Sequence, residues 1–289
     1  MSETPTFDLQ SHSVHSDGEL PAAGVVRAAA DAGVRLLALT DHDSVDGVDE
    51  ALVAAGDASI DLVPAVEISA VDGAHEDLHL LGYRVDHHHP GLVAALEDFR
   101  ADRGRRIGAM ADRLRGFGFD LDESALHARR EAGKPLGRPH LARAVLDHPA
   151  NADKLAAEGI DGMDALFVAY LVPGARAFVA RSHPTVAEAI ALVHEAGGLA
   201  VWAHPFWDID DPGLTLSTLE RFAGEGLDGV EAFYATHTAE HTALLGDAAK
   251  RLGLLTTGSS DFHGPGHGRF NGFREFELYG RTPALGPIG

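Results

Sequence analysis

VRLLALTDHDS, residues 34–44, reads as a strand that runs into a knot of ionisable groups. The apolar run is bounded by Gly33 before it and by Asp41, His42 and Asp43 after it, as expected of a buried strand. Just upstream, PAAGVVRAAADAG (21–33) has helical periodicity and stops at Gly33. The same alternation recurs along the chain. After a short opening strand, IDLVPAVEIS (60–69), DLHLLGYRV (77–85), LAVWA (199–203), LDGVEAFY (227–234) and LLTTGSS (254–260) read as strands. TVAEAIALVHEAGG (185–198) and residues 238–252 read as helices. Strands alternating with helices predict an α/β protein with a mostly parallel sheet, open or closed into a barrel.

The middle of the chain differs. Residues 90–182 carry helical periodicity with little strand signal: a long helix over 89–118, then shorter ones in ESALHARREAG, PHLARAVLD and MDALFVAYLV. The expected organisation is a barrel in two parts, 1–89 and 183–289, with a helical subdomain of 90–182 inserted over its mouth. The charge runs within 97–115 read as a solvated face, and the tail TPALGPIG (282–289) as irregular.

Composition narrows the chemistry. The 289 residues hold 44 acidic and 23 basic side chains, a formal charge of −21. Such a surface repels duplex nucleic acid and anionic membranes. There is no cysteine, so thiolate metal sites, cysteine nucleophiles and disulfides are excluded. Any metal must be held by nitrogen and oxygen. MSETPTFD has no signal-peptide pattern and no apolar run is long enough to span a bilayer, so a cytoplasmic location is expected.

The ligand-type residues recur at one kind of place, the C-terminal end of a strand. His12 and Asp17 follow the first, Asp41, His42 and Asp43 follow VRLLALT, and Glu67 ends the third. His204 follows LAVWA, and Asp261 and His263 follow LLTTGSS. In a barrel these ends form one face. Each piece alone has an ordinary explanation: a polar turn for HSVHSD, helix capping for Asp41 and Asp43, a buried ion pair for Glu67, a strand stopped by Pro205, a cap and turn in SSDFHG. Their joint placement favours chemistry, because capping does not call for histidine at each strand end. Crowded carboxylates resist ionisation unless cations offset them. Mixed imidazole and carboxylate donors suit zinc, manganese or iron better than calcium.

Taken in order, DLxSHSxxSDG, ALTDHDS, PAVEIS, DLHLLGY, GRPHLARAV, GGLAVWAHP and TTGSSDFHG resemble the PHP family of polymerase and histidinol phosphatase domains. Within it the chain most resembles the TrpH-like or YciV-like stand-alone phosphoesterases, over about residues 7–266. The resemblance implies a distorted (β/α)7 TIM-like barrel with an inserted helical subdomain. It implies hydrolysis of phosphate esters, assisted by two to three divalent ions that activate water. Nucleoside 3′,5′-bisphosphates and the 5′ ends of short RNA are the implied substrates. A histidinol-phosphatase-like or cyclic-phosphodiester activity, and a catalytically silent nucleotide-binding barrel, are the alternatives.

Carried over by position, the resemblance groups Glu67, His79 and His204 around one ion and Asp17, His42 and His263 around a second. The third would use His12, Glu67 and Asp261. Here Gln10 stands where the family has a histidine, and an amide oxygen is a poorer ligand. That ion is therefore expected to bind more weakly, with His15 as a substitute if the loop bends inward. Arg138 and His140 in GRPHLA, and Arg181 in AFVAR, are the implied phosphate contacts, with Arg269 a further candidate; a guanidinium fork matches two phosphate oxygens. His237 is a candidate proton donor to the leaving group, with a helix-cap role as its rival, and Asp261 is a candidate catalytic group. The histidines 87–89 read as an exposed turn.

Overall fold

The computed structural model describes residues 5–73, 75–131 and 136–289. Strand β1 (Phe7–Asp8) leads into helix α1 (Ala22–Asp31), β2 (Leu36–Leu39), α2 (Val48–Ala58), β3 (Asp61–Asp72) and β4 (His75–Tyr83). A helical run follows: α3 (Pro90–Gly116), α4 (Glu123–Glu131), α5 (Arg138–Leu146), α6 (Ala152–Ala157) and α7 (Met163–Leu166). The last continues as a π-helical turn over Phe167–Leu171. The chain then forms α8 (Val186–Glu195), β5 (Leu199–Trp202), α9 (Pro205–Asp208), α10 (Pro212–Gly224), β6 (Gly229–Tyr234), α11 (Ala239–Leu252) and β7 (Leu255–Ser259). The last two residues of ESALHARREAG, Ala132 and Gly133, lie outside the described residues. The tail holds one 3-10 turn, Gly286–Ile288, whose Ile288 is buried.

Two compact units result: Met1–Glu97 with His183–Gly289, and Asp98–Ser182. The division falls inside α3 at Glu97/Asp98, not at the 89/90 boundary read from sequence. One uninterrupted helix crosses it, so no break in periodicity marks the place. The second unit is all helical among its described residues and has its own core, including Met110, Leu114, Leu141, Val145, Leu166 and Tyr170.

In the first unit the seven strands lie in chain order, β1 to β7. β1–β2–β3 and β5–β6–β7 pair in parallel, whereas β4 is antiparallel to both neighbours. This departs from a uniform (β/α)7 repeat. β4 begins three residues after β3 ends, at Asp72 and His75, and a parallel pair needs a crossover of a dozen or more residues. The first and last strands meet: the Leu9 N–H donates to the Gly258 carbonyl (3.2 Å) and the His12 N–H to the Phe262 carbonyl (2.8 Å). That contact turns an open sheet into a nearly closed barrel.

On the strands, Leu37, Leu39, Ile68, Leu80, Leu81, Tyr83, Trp202 and Phe233 are fully or almost fully buried, with Leu37 and Leu39 packed against α1 and α2 and Trp202 against Phe222 of α10. Outside, small residues let α1 and α2 approach closely: Ala22, Val25, Val26 and Ala29 face Ala51 and Ala55. Helix starts are set by local chemistry. Thr185 and Glu188 form a reciprocal capping box on α8, and Thr238 caps α11 by accepting from the His241 N–H. Among the described residues no helix is long and apolar enough to cross a membrane.

Barrel closure also rests on a buried acid. Asp8 accepts hydrogen bonds from the backbone N–H groups of Ser260 (2.9 Å) and Arg274 (2.8 Å), tying β1 to the segment after β7. Asp8→Ala strands both donors, each worth about 1–3 kcal/mol when buried and unmet. The expected loss is about 2–4 kcal/mol in urea unfolding followed by circular dichroism; a loss below 0.5 kcal/mol, taking about that as the surface-substitution range, would contradict this role for Asp8.

Candidate metal centre

The site is built from loops at the strand ends, each locked by buried polar bonds. Asp41 accepts from the Ser13 N–H (2.7 Å), the Ser13 hydroxyl (2.7 Å) and the Ser16 hydroxyl (2.6 Å), which folds residues 11–17 onto the end of β2. Ser16 in turn stands 3.3 Å from His12 Nδ1, leaving His12 Nε2 facing inward. Asp43 accepts from the Ser69 N–H (3.1 Å), and its own N–H donates to the Glu67 carbonyl (2.8 Å). Neither acid caps α2, whose cap position is Gly47. Both brace the loops that present His12, His42 and Glu67.

Glu67, fully buried, is the centre of the arrangement. Its Oε1 lies 2.7 Å from His79 Nδ1 and 3.3 Å from His204 Nε2. Its Oε2 lies 3.1 Å from His12 Nε2 and 3.5 Å from His42 Nδ1. His12 Nε2 is also 3.1 Å from Asp261 Oδ1. Asp17, the most exposed member, reaches His12 (3.7 Å), His42 (3.7 Å) and His263 (3.5 Å). Thus all eight expected ligand positions gather, and three overlapping groups could each hold an ion: His12, Asp17, His42 and His263; His42, Glu67 and His79; His12, Glu67 and Asp261. His204 joins the second, since His79 Nδ1 is 3.4 Å from His204 Nε2. His15 belongs to none of these groups among the described residues.

The backbone is held in an uncommon conformation at three of these loops. Asp43, His204 and Asp261 have φ of 48°, 28° and 56°. Asp and His are among the side chains that visit this region most readily, and such residues cluster at functional sites.

The donor set fits divalent ions. Ligand atoms about 2.1 Å from a shared ion stand about 3.0–3.4 Å apart. His12 Nε2 stands that far from two carboxylate oxygens, yet neither contact has hydrogen-bond direction; His42 Nδ1 and Asp261 Oδ1 are likewise buried without a hydrogen bond. Atoms that converge without bonding one another are arranged for a common third partner. Electrostatics agree. Burial opposes charge throughout, but the histidines pull Glu67 well below the ordinary carboxylate range and Asp261 to about 2. Burial works against protonated rings, yet Asp261 and Glu67 carry His12 well above its ordinary value, and Glu67 and Asp208 raise His204 to about 9. His42 is driven by burial to about 4.

Gln10 is not a ligand in this arrangement. Its amide nitrogen donates to Glu67 Oε2 (3.0 Å), and its oxygen lies 3.3 Å from the Ser259 hydroxyl. The orientation follows from Glu67, because a carboxylate can only accept and the NH2 group has no lone pair to offer a metal. The amide oxygen expected as a weak ligand is turned toward Ser259. Glu231, an acid within the apolar run GVEAFY, went unnoticed in the sequence. It accepts from the His204 N–H (2.9 Å) and the Ser259 hydroxyl (2.6 Å), positioning His204 from behind.

His237 is buried behind Phe206 and Tyr234, with Nδ1 3.2 Å from the Ala232 carbonyl. Burial lowers it to about 3; a neutral ring does not suit a proton donor at neutral pH, and Thr238 is the helix cap. Arg138, His140 and Arg181 belong to the second unit. Arg138 donates to the Leu171 carbonyl (3.3 Å), His140 Nδ1 accepts from the Gly137 N–H (3.1 Å), and Arg181 is buried. His87, with 13% of its side chain exposed, pairs with Asp49 (2.9 Å) beside His88, so the triplet is not wholly an exposed turn.

The PHP domain profile matches residues 8–196. The chain belongs to the PHP domain family. This PHP domain is 34% identical over 272 residues to a 3′,5′-nucleoside bisphosphate phosphatase of Chromobacterium violaceum, covering 91% of this chain and 88% of the relative. It is 32% identical over 262 residues to a 5′-3′ exoribonuclease of Haemophilus influenzae, covering 91% of each. A crystal structure from Bifidobacterium adolescentis, described as a candidate metal-dependent phosphoesterase, superposes with a TM-score of 0.76 at 30% identity, covering 95% of this chain and 93% of that one.

Because His12, His79 and His204 hold protons more tightly than ordinary histidines, an ion taking their nitrogens must displace those protons. Ion affinity should therefore rise with pH up to about 9, where His204 loses its proton unaided. Adding manganese to ion-free protein at neutral pH in dilute buffer should release protons, read with an indicator dye; binding without release would contradict the assignment.

Proposed function

We propose that this PHP domain is a metal-dependent phosphoesterase acting on small phosphate esters, chiefly nucleoside 3′,5′-bisphosphates and the 5′ ends of short oligonucleotides. The observation that carries the reading is Glu67, fully buried with two imidazoles against each carboxylate oxygen. Two to three ions of manganese, zinc or iron complete the site. Once bound, divalent ions supply Lewis-acid stabilisation of phosphoryl charge and activation of water.

Asp17, His42, His263 and His12 would hold one ion, Glu67, His79 and His204 another, and Asp261 with His12 and Glu67 the third. Asp261 has a second task in this reading. The Tyr234 hydroxyl donates to its Oδ2 (2.8 Å), which fixes the carboxylate and leaves Oδ1 facing inward. Burial and the Asp261 charge push the Tyr234 phenol far up, so it stays a donor. Asp261 is thus placed to orient an attacking water by accepting its hydrogen. The phosphate-contacting roles of Arg138, His140 and Arg181 belong to the proposal through the family resemblance. The similarity to a bisphosphate phosphatase and an exoribonuclease supports the choice of ester.

The test is phosphate release from adenosine 3′,5′-bisphosphate with manganese. His42→Ala and Asp261→Ala should each reduce release to background while circular dichroism stays that of the unaltered protein. Unaltered rates in either variant would contradict the assignment.

A further inference from the structure

We propose that Trp207, flanked by Arg269 and Phe270, is a stacking platform for a nucleobase beside the metal centre, an inference that rests on the phosphoesterase reading. The chain has two tryptophans, and they are opposites: Trp202 is fully buried in the barrel, whereas Trp207 is 48% exposed. Trp207 lies on α9, the short helix that starts directly after His204. Its backbone N–H donates to the His204 carbonyl (2.8 Å), which places Trp207 one turn from a metal-centre residue. Its neighbour Phe206 turns inward and stacks on His241 at 4.0 Å. The helix therefore divides its two aromatic residues, one into the wall and one outward.

A second segment meets the indole from the loop after β7. The buried Phe270 ring lies 5.8 Å from Trp207, 5.8 Å from His263 and 6.0 Å from Tyr234. It is a shared step between the indole and the ring of His263. His267 stacks on Phe270 at 5.4 Å and on His263 at 5.1 Å, continuing the same aromatic surface. The Arg269 guanidinium sits 5.5 Å from the indole centroid and steadies it as a cation over a π face.

The surface is aromatic, with Phe270 tilted 58° to the indole and the Arg269 cation over the indole ring, and it leads toward the metal-centre residue His263. That combination fits a planar aromatic base whose phosphate lies at the metal centre. Aromatic platforms of this kind bind any base, because every base has a π face. The arrangement thus favours nucleotides over sugar phosphates without selecting among nucleobases.

Trp207 is its own reporter, since acrylamide reaches an exposed indole and not the buried Trp202. Adenosine 3′,5′-bisphosphate should protect Trp207 emission from acrylamide saturably, and an abasic ribose 3,5-bisphosphate should not. Trp207→Ala should raise KM for the adenosine compound about tenfold with kcat unchanged, leave KM for the ribose compound unaltered, and Trp207→Phe should restore most of the loss. Equal protection by both compounds, no protection by either, or a KM change absent or shared by both would overturn the platform. Protection by the adenosine compound with no phosphate release from the unaltered enzyme would sink the phosphoesterase reading while leaving the platform standing.

Discussion

The structure depends on a single costly placement: the Glu67 carboxylate is out of water entirely, with two imidazoles on each oxygen. A lone carboxylate there would be neutralised by protonation, since burial disfavours the charged form. The histidines prevent that by holding Glu67 well below the ordinary carboxylate range. The arrangement works in two ways. Protonated rings can satisfy Glu67 in the ion-free chain, and divalent ions can replace those protons.

Much of the surrounding fold exists to keep that cluster in register. Barrel closure brings His12 beside Asp261 across the β1–β7 seam, and Asp8 ties the seam shut. Asp41 folds the first loop, Asp43 joins the second to β3, and Glu231 holds the His204 backbone. These are buried acids that accept hydrogen bonds from the loops they hold. Fully satisfied polar networks rigidify a site, and the positive φ of Asp43, His204 and Asp261 shows where the backbone has yielded to them.

The strand ends were legible because chemistry and periodicity coincide there: an apolar run stops and a His or Asp follows, as at Thr40–Asp41–His42 and Ser260–Asp261. The reversal of β4 was not, because apolar alternation carries no strand direction; only the short spacing between Asp72 and His75 encodes it. Asp41 was visible as a ligand-type residue with helix capping as its rival reading; its task of folding the first loop shows only with its serine partners, 25 and 28 residues away. Glu231 could have been found as a lone acid inside GVEAFY, where burial demands a partner. The direction of the Gln10 amide depends on Glu67, 57 residues on, and no local pattern reports it. The platform at Trp207 is spread over α9 and the loop after β7, so only the fold assembles it.

The most direct measurement of the central claim is anomalous diffraction from crystals grown with manganese. Anomalous peaks are expected between Glu67 and the rings of His12, His42, His79 and His204. Well-ordered crystals in saturating manganese that show no peak in this cluster, and Glu67 hydrogen-bonded to protonated histidines instead, would contradict it.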